Sequence, residues 1–117
     1  MALKLEKLSE GDVTIIKFLD KRIADEPDII EFGEELIGAV SNGEHSKVLI
    51  NMSEIDFLSS AAIGKLVSVH KKAKEQEVGL KFCCINSPNP YEGFKITNLD
   101  TLFDIADTQE EAVAAFA

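Results

Sequence analysis

What the 117-residue chain lacks narrows its function before any motif is read. No apolar run approaches the ~20 residues that would span a bilayer, so no membrane-crossing segment is expected. The opening stretch, "MALKLEKLSEGD", has neither a continuous apolar core nor a small-residue cleavage site. It carries no visible export signal, and a cytoplasmic location is expected. Basic residues are scarce: 12 Lys and Arg stand against 21 Asp and Glu, a net charge of −9, and the longest basic cluster, His70 to Lys74, is brief. A duplex-binding surface draws most of its affinity from neutralised phosphates, so no direct nucleic-acid partner is expected. Cysteine is almost absent, and the two present, Cys83 and Cys84, are neighbours. Consecutive strand residues point to opposite faces, which disfavours a structural disulfide between them and predicts reduced thiols. Two small hydrophobes in an apolar strand is the plain reading, with a redox pair as the rival.

Catalytic constellations are missing as well. His45 falls in a polar loop and His70 on the border of a helix, with no Cys, His or carboxylate at metal-ligand spacing. Neither G-x-x-x-x-G-K-[ST], G-x-G-x-x-G nor G-x-S-x-G occurs. No metal site, no cofactor and no enzymatic activity are expected.

What is there is an alternation of strands and helices in one domain, residues 1–117, a length that leaves no room for a second core. "LKLEKL" (Leu3 to Leu8) and "VTIIKFL" (Val13 to Leu19) read as strands, and "SEGD" between them is of hairpin length, predicting an antiparallel pair. "DEPDIIEFGEELIGAVSNGE" opens with acidic residues and a proline, then spaces Ile29, Phe32, Leu36, Ile37 and Val40 as a helix that Asn42-Gly43 ends. "KVLINM" (Lys47 to Met52) is a strand, and after it Ile63, Leu66, Val67, Val69 and Ala73 take a helical period. "VGLKFCCIN" reads as a strand, "NPYEGFKITNL" as a short helix and "TLFDIAD" as a brief edge strand or turn. Thr108-Gln109-Glu110-Glu111 is a capping box announcing the last helix. The fold class is α/β: a mixed sheet of four to five strands, an N-terminal antiparallel hairpin followed by β-α units, with about four helices packed against it.

The stretch "IDFLSSAAIGKLVSVHKKAKEQ", Ile55 to Gln76, sets Ser59 and Ser60 between an apolar run and the amphipathic helix. One hydroxyl at the N-cap satisfies a free N–H and is worth roughly 1 kcal/mol, which accounts for one serine and not for two. The same junction makes either serine a good phosphorylation point, because a helix N-terminus tolerates an anion and α/β domains present function on that edge. Capping and switching are both open at this stage.

"INMSEIDFLSSAAIGKLVSVHKKAKEQEVGLKFCCINSP", followed by "FKITNLDTLFDIADTQEEAVAAF", resembles the STAS domain of bacterial anti-sigma factor antagonists. The resemblance covers nearly the whole chain and is weakest before Asp25. The family's commonest serine turn reads Asp-Ser-Ser/Thr-Gly-Leu-Gly, with the first serine or threonine phosphorylated, and on this chain that position is Ser60, with Ile63 and Gly64 matching the motif's end. Three positions depart from the pattern. Ser59 and Asn51 stand where the family often has aspartate, and Ala62 where it has glycine.

The resemblance implies partner switching. The unphosphorylated domain binds a serine-kinase anti-sigma factor, which releases its sigma factor; the kinase phosphorylates the domain to eject it, and a cognate phosphatase restores it. Ser60 is the implied acceptor, with Ser59 as cap or alternative acceptor, and the implied partner surface is Ser59, Ser60, Ala61, Ile63, Gly64 and Lys65. On periodicity alone Ile63 and Leu66 read as core, and Gly64 is expected to permit close approach of another backbone. The protein is expected to be a monomer or weak dimer. A non-phosphorylated scaffold binding its partner constitutively is the alternative, ahead of a redox or nucleotide-binding role.

Overall fold

The computed structural model describes residues 5–41, 46–96 and 98–116. The expectations placed on Leu3, Asn42-Gly43 and His45 lie outside those residues. The chain starts as a hairpin, β1 (Leu5–Glu10) against β2 (Val13–Phe18), antiparallel from Leu5↔Phe18 to Glu10↔Val13. Ser9 and Glu10, expected in the turn, are strand residues, so the loop shrinks to Gly11-Asp12. Gly11 has φ +61, a conformation that costs glycine little. Lys47 donates to the Asp12 carboxylate at 2.8 Å and so anchors the tip to the next strand.

That strand, β4 (Lys47–Asn51), runs parallel to β2; β6 (Gly79–Cys83) follows parallel to β4, and β7 (Ile105–Ala106) parallel to β6. The sheet order is β1-β2-β4-β6-β7. Two further strands, β3 (Arg22–Ile23) and β5 (Phe57–Leu58), pair in parallel with each other beyond the end of the main sheet.

Alternation along the strands divides the core in two. Ile16, Phe18, Val48, Ile50, Leu80 and Phe82 share the larger cluster with α1 (Glu26–Ser41) and α2 (Ser60–Glu75). Val13, Ile15, Leu49 and Cys83 form a smaller one with Ala112 of α5 (Gln109–Ala115). Each helix earns its place by an apolar stripe: Ile29, Phe32, Leu36 and Val40 on α1; Ala62, Ile63, Leu66, Val69 and Ala73 on α2. At ~25 cal/mol per Å² of buried apolar surface, such stripes rather than intrinsic propensity hold helices in place.

The connection after β6 is α3 (Pro88–Ile96) and the single turn α4 (Leu99–Leu102). Thr101 belongs to that turn, which leaves only Ile105 and Ala106 of the expected edge strand as β. A Cβ at Gly93 of α3 would lie 2.7 Å from Ile63 Cδ1, so glycine is what lets α3 sit close on α2. Phe103 closes this end of the core, stacked on Phe82 at 4.6 Å and edge-on to Phe94 at 5.6 Å.

One expectation about the cysteines is overturned. β6 ends at Cys83, and Cys84 takes φ +64 instead of continuing the strand. The two side chains therefore do not diverge to opposite faces; their sulfurs lie 3.5 Å apart, both as free thiols.

Candidate functional site

Asn51, at the end of β4, is a buried polar residue and begins the connector to the serine turn. Its Oδ1 accepts from Ser53 N at 2.9 Å, and its Nδ2 donates to Gln109 Oε1 at 2.8 Å, tying the connector to the first residue of α5. Met52 N donates to Cys83 O at 3.0 Å. Farther along, Asp56 N and Phe57 N both donate to Lys21 O, at 2.7 and 3.1 Å, and Ser59 N donates to Ile23 O at 3.1 Å. Leu58 N donates to Asn89 Oδ1 at 3.0 Å, and Ser87 Oγ to Asp56 Oδ1 at 2.9 Å. The Arg22 guanidinium lies 4.3 Å from the centre of the Phe57 ring. The turn is thus held from both sides, by β3 and by the start of α3.

This framework separates the roles of the two serines. Ser59 has extended backbone, φ −70 and ψ 165, and its hydroxyl accepts from Ala62 N at 3.2 Å: it is the N-cap of α2. Ser60 is the first helical residue and its side chain is exposed. No acidic residue occupies the first turn of α2, while Lys72 and Lys74 sit in its last turn, matching the cations to the negative end of the helix dipole.

The outer face of α2 below Ser60 is small and flat. Ser60, Ala61, Gly64 and Ser68 are all exposed, and a Cβ at Gly64 would meet nothing within 4 Å. No described backbone of this chain takes the space over Gly64, which leaves it open on the outer face. Of the other residues expected at a partner surface, Ser59 is half-buried, Ile63 is buried against Gly93, and Lys65 is half-buried with its stem against α1, its Cδ 3.0 Å from where a Cβ on Gly33 would stand. Leu66 is fully buried, as its spacing predicted. Ala62, in the place of the motif's glycine, turns its methyl into the core without disturbing the cap.

Sequence reasoning missed Lys21, Ile23 and Asn89 as supports of the turn. Two of the three act through main-chain carbonyls, which leave no side-chain signature. Beside them Asp20, Lys21, Arg22, Ala24, Asp25 and Asp28 line an open cleft of about 320 Å³.

His70 is remote from the turn, about 15 Å along α2 from Ser60 at 1.5 Å per residue. Its ring lies 5.4 Å from that of Phe103, and its Nε2 is buried without a partner among the described residues. Burial lowers its pKa below 6.5, as does Lys74, with Asp104 opposing them. Among the described residues no group of three or more His, Cys, Asp or Glu is placed to hold a metal ion, and no helix is long and apolar enough to cross a membrane.

Comparison with known proteins sets this geometry in a family context. The family profile for the STAS domain matches residues 25–112. BtrV of Bordetella bronchiseptica, described as a candidate anti-sigma factor antagonist, is 30% identical over 82 residues, 70% of this chain and 69% of that protein. An anti-sigma factor antagonist from Mycobacterium paratuberculosis has a similar structure, with TM-score 0.82 at 20% identity over 97% of this chain and 92% of the other. So does the Bacillus cell fate determinant SpoIIAA in its phosphorylated form, with TM-score 0.71 at 17% identity over 98% and 99% of the two chains.

Proposed function

The chain belongs to the STAS domain family, and from that premise we propose that it is an anti-sigma factor antagonist whose binding to a serine-kinase anti-sigma factor is switched off by phosphorylation of Ser60. The observation that carries the reading is the division of labour at the turn: Ser59 is spent on the cap, which leaves the exposed Ser60 hydroxyl for chemistry.

A phosphate on Ser60 adds about −1.5 to −2 charge at the positive end of α2, where no neighbouring carboxylate in the first turn repels it. The fold bears it at little cost. A protein docked on the strip formed by Ser60, Ala61, Gly64 and Ser68 would instead have to bury that charge, and such a penalty is enough to release it. Removal of the phosphate by a phosphatase restores a neutral, sterically open face. The phosphorylated form of SpoIIAA, a structural neighbour, is consistent with a fold of this kind carrying the modification.

The test is phosphate incorporation after incubation with ATP and a cell extract, mapped by peptide mass. Label on Ser60 that disappears in Ser60→Ala is the expected result. A turn that never takes up phosphate while the protein still captures its partner would replace the switch with a constitutive scaffold.

A further inference from the structure

The thiol pair at the end of β6 plays no part in the serine turn, yet its surroundings are organised. Cys83 is fully buried in the smaller core cluster, and Cys84 is half-buried beside it. The left-handed backbone at Cys84, uncommon for a residue with a side chain, is what brings its Sγ to 3.5 Å from that of Cys83. The peptide group joining the two residues is itself a bridge. Its carbonyl accepts from Met52 N at 3.0 Å, and its N–H donates to Ala106 O at 3.2 Å. Met52 opens the connector to the serine turn, and Ala106 belongs to β7, just before α5.

We propose that Cys83 and Cys84 form a redox modification site that closes to a vicinal disulfide under a hydroperoxide, altering the two hydrogen bonds made by the peptide between them. Cys84, the more accessible thiol, reacts first. Its sulfur attacks one peroxide oxygen, the O–O bond breaks, and the departing oxygen leaves with the thiol proton as water or an alcohol. The sulfenic acid so formed lies beside Cys83, whose sulfur attacks it; the S–O bond breaks, the S–S bond forms, and the hydroxyl departs with the Cys83 proton as water. Two electrons pass from the two thiols to the peroxide. Burial, reinforced by the Cys84 thiol, pushes the Cys83 thiol's pKa far up and disfavours it as the first target, while its sulfur, 3.5 Å from that of Cys84, is placed to resolve the sulfenic acid.

Closure of so small a ring has a mechanical effect. Adjacent Cα atoms stand about 3.8 Å apart across a trans peptide, below the roughly 4.4–6.8 Å that disulfides span without strain. The bond is therefore readily reduced, a reversible mark and not a structural brace. Its strain falls on the peptide that holds Met52 and Ala106, so oxidation loosens the connector and the approach to α5 together.

The test uses the full chain, reduced and then exposed to hydrogen peroxide. Both thiols should become unreactive together, the intact mass should fall by two hydrogens, and glutathione should return both. Amide exchange at Met52 and Cys84 should rise on the order of tenfold in the oxidised form. In Cys83→Ala the sulfenic acid on Cys84 should persist long enough to be trapped, and in Cys84→Ala the buried Cys83 should resist oxidation. Oxygen added to Cys84 without ring closure, or Cys83 oxidising alone as fast as the pair, overturns the site, and unchanged exchange at Met52 overturns its mechanical reach. The experiment involves neither kinase nor Ser60, so its failure would leave the phosphorylation reading where it stood.

Discussion

Replacing each serine of the turn separately tests whether cap and switch are distinct residues. Ser59→Ala removes the oxygen that accepts from Ala62 N at 3.2 Å, and the loss of an N-cap of this kind costs about 1 kcal/mol. In a chain of this length that lowers Tm by about 4 °C. Ser60→Ala removes an exposed hydroxyl from a helical position, where alanine is the better helix former by a few tenths of a kcal/mol, so Tm should hold or rise slightly. Ser60→Asp should also fold normally, since a carboxylate in the first turn is favourable by about 0.3–1 kcal/mol. The functional order expected from the proposed switch is different: Ser59→Ala should keep phosphate uptake, Ser60→Ala should abolish it while retaining the kinase, and Ser60→Asp should weaken kinase binding with a single charge where phosphate carries about −1.5 to −2. Melting curves, phosphate incorporation and kinase affinity on the three variants settle the matter. If Ser60→Ala loses as much stability as Ser59→Ala, or is still phosphorylated at the turn, the division of labour is wrong.

Leu66→Asp places an unpaired charge at a fully buried site on α2 and should cost several kcal/mol; a denaturation midpoint equal to the parent's would contradict the assigned helix face. Gln109→Ala removes the acceptor for Asn51 Nδ2 and leaves a buried amide short of a partner, so unfolding in urea should reveal a loss of about 1–3 kcal/mol. His70 has a lowered pKa in the folded chain, so the unfolded chain binds its proton first as pH falls. The stability this contributes is present above 6.5 and is lost as pH drops through that value toward the depressed one. His70→Gln should therefore flatten the decline in stability over that window, and an identical slope in parent and variant would remove His70 as its cause.

The four longer strands were legible as alternating or short apolar, β-branched runs of strand length, and the long helices because their apolar residues recur at a period of 3.6. The two-residue strands β3 and β5 offer no period to read, and they are what fixes the register of the turn. Without the bond from Ser59 N to Ile23 O, nothing local distinguishes one serine from the next as the cap. Cys84 misled for a related reason: its left-handed backbone is set by contacts with Met52 and β7, residues far away in sequence. Nor does the sequence tell which glycines lie against a neighbour within the chain: Gly33, Gly79 and Gly93 do, against Lys65, Phe116 and Ile63, while Gly64 faces open space. That is a property of which helices touch, and only the assembled layers disclose it.

Among the described residues the sheet ends in β1 on one side and β7 on the other, and both rims resist growth. β1 is long enough to pair with another chain, but Glu6, Lys7 and Glu10 crowd it with exposed charge, while β7 offers only two residues as a template. Ribbon formation between crowded copies would have to bring those charges together or begin from a rim too short to nucleate it. A second copy approaching edge to edge would thus meet a row of charges at one described rim and a two-residue template at the other.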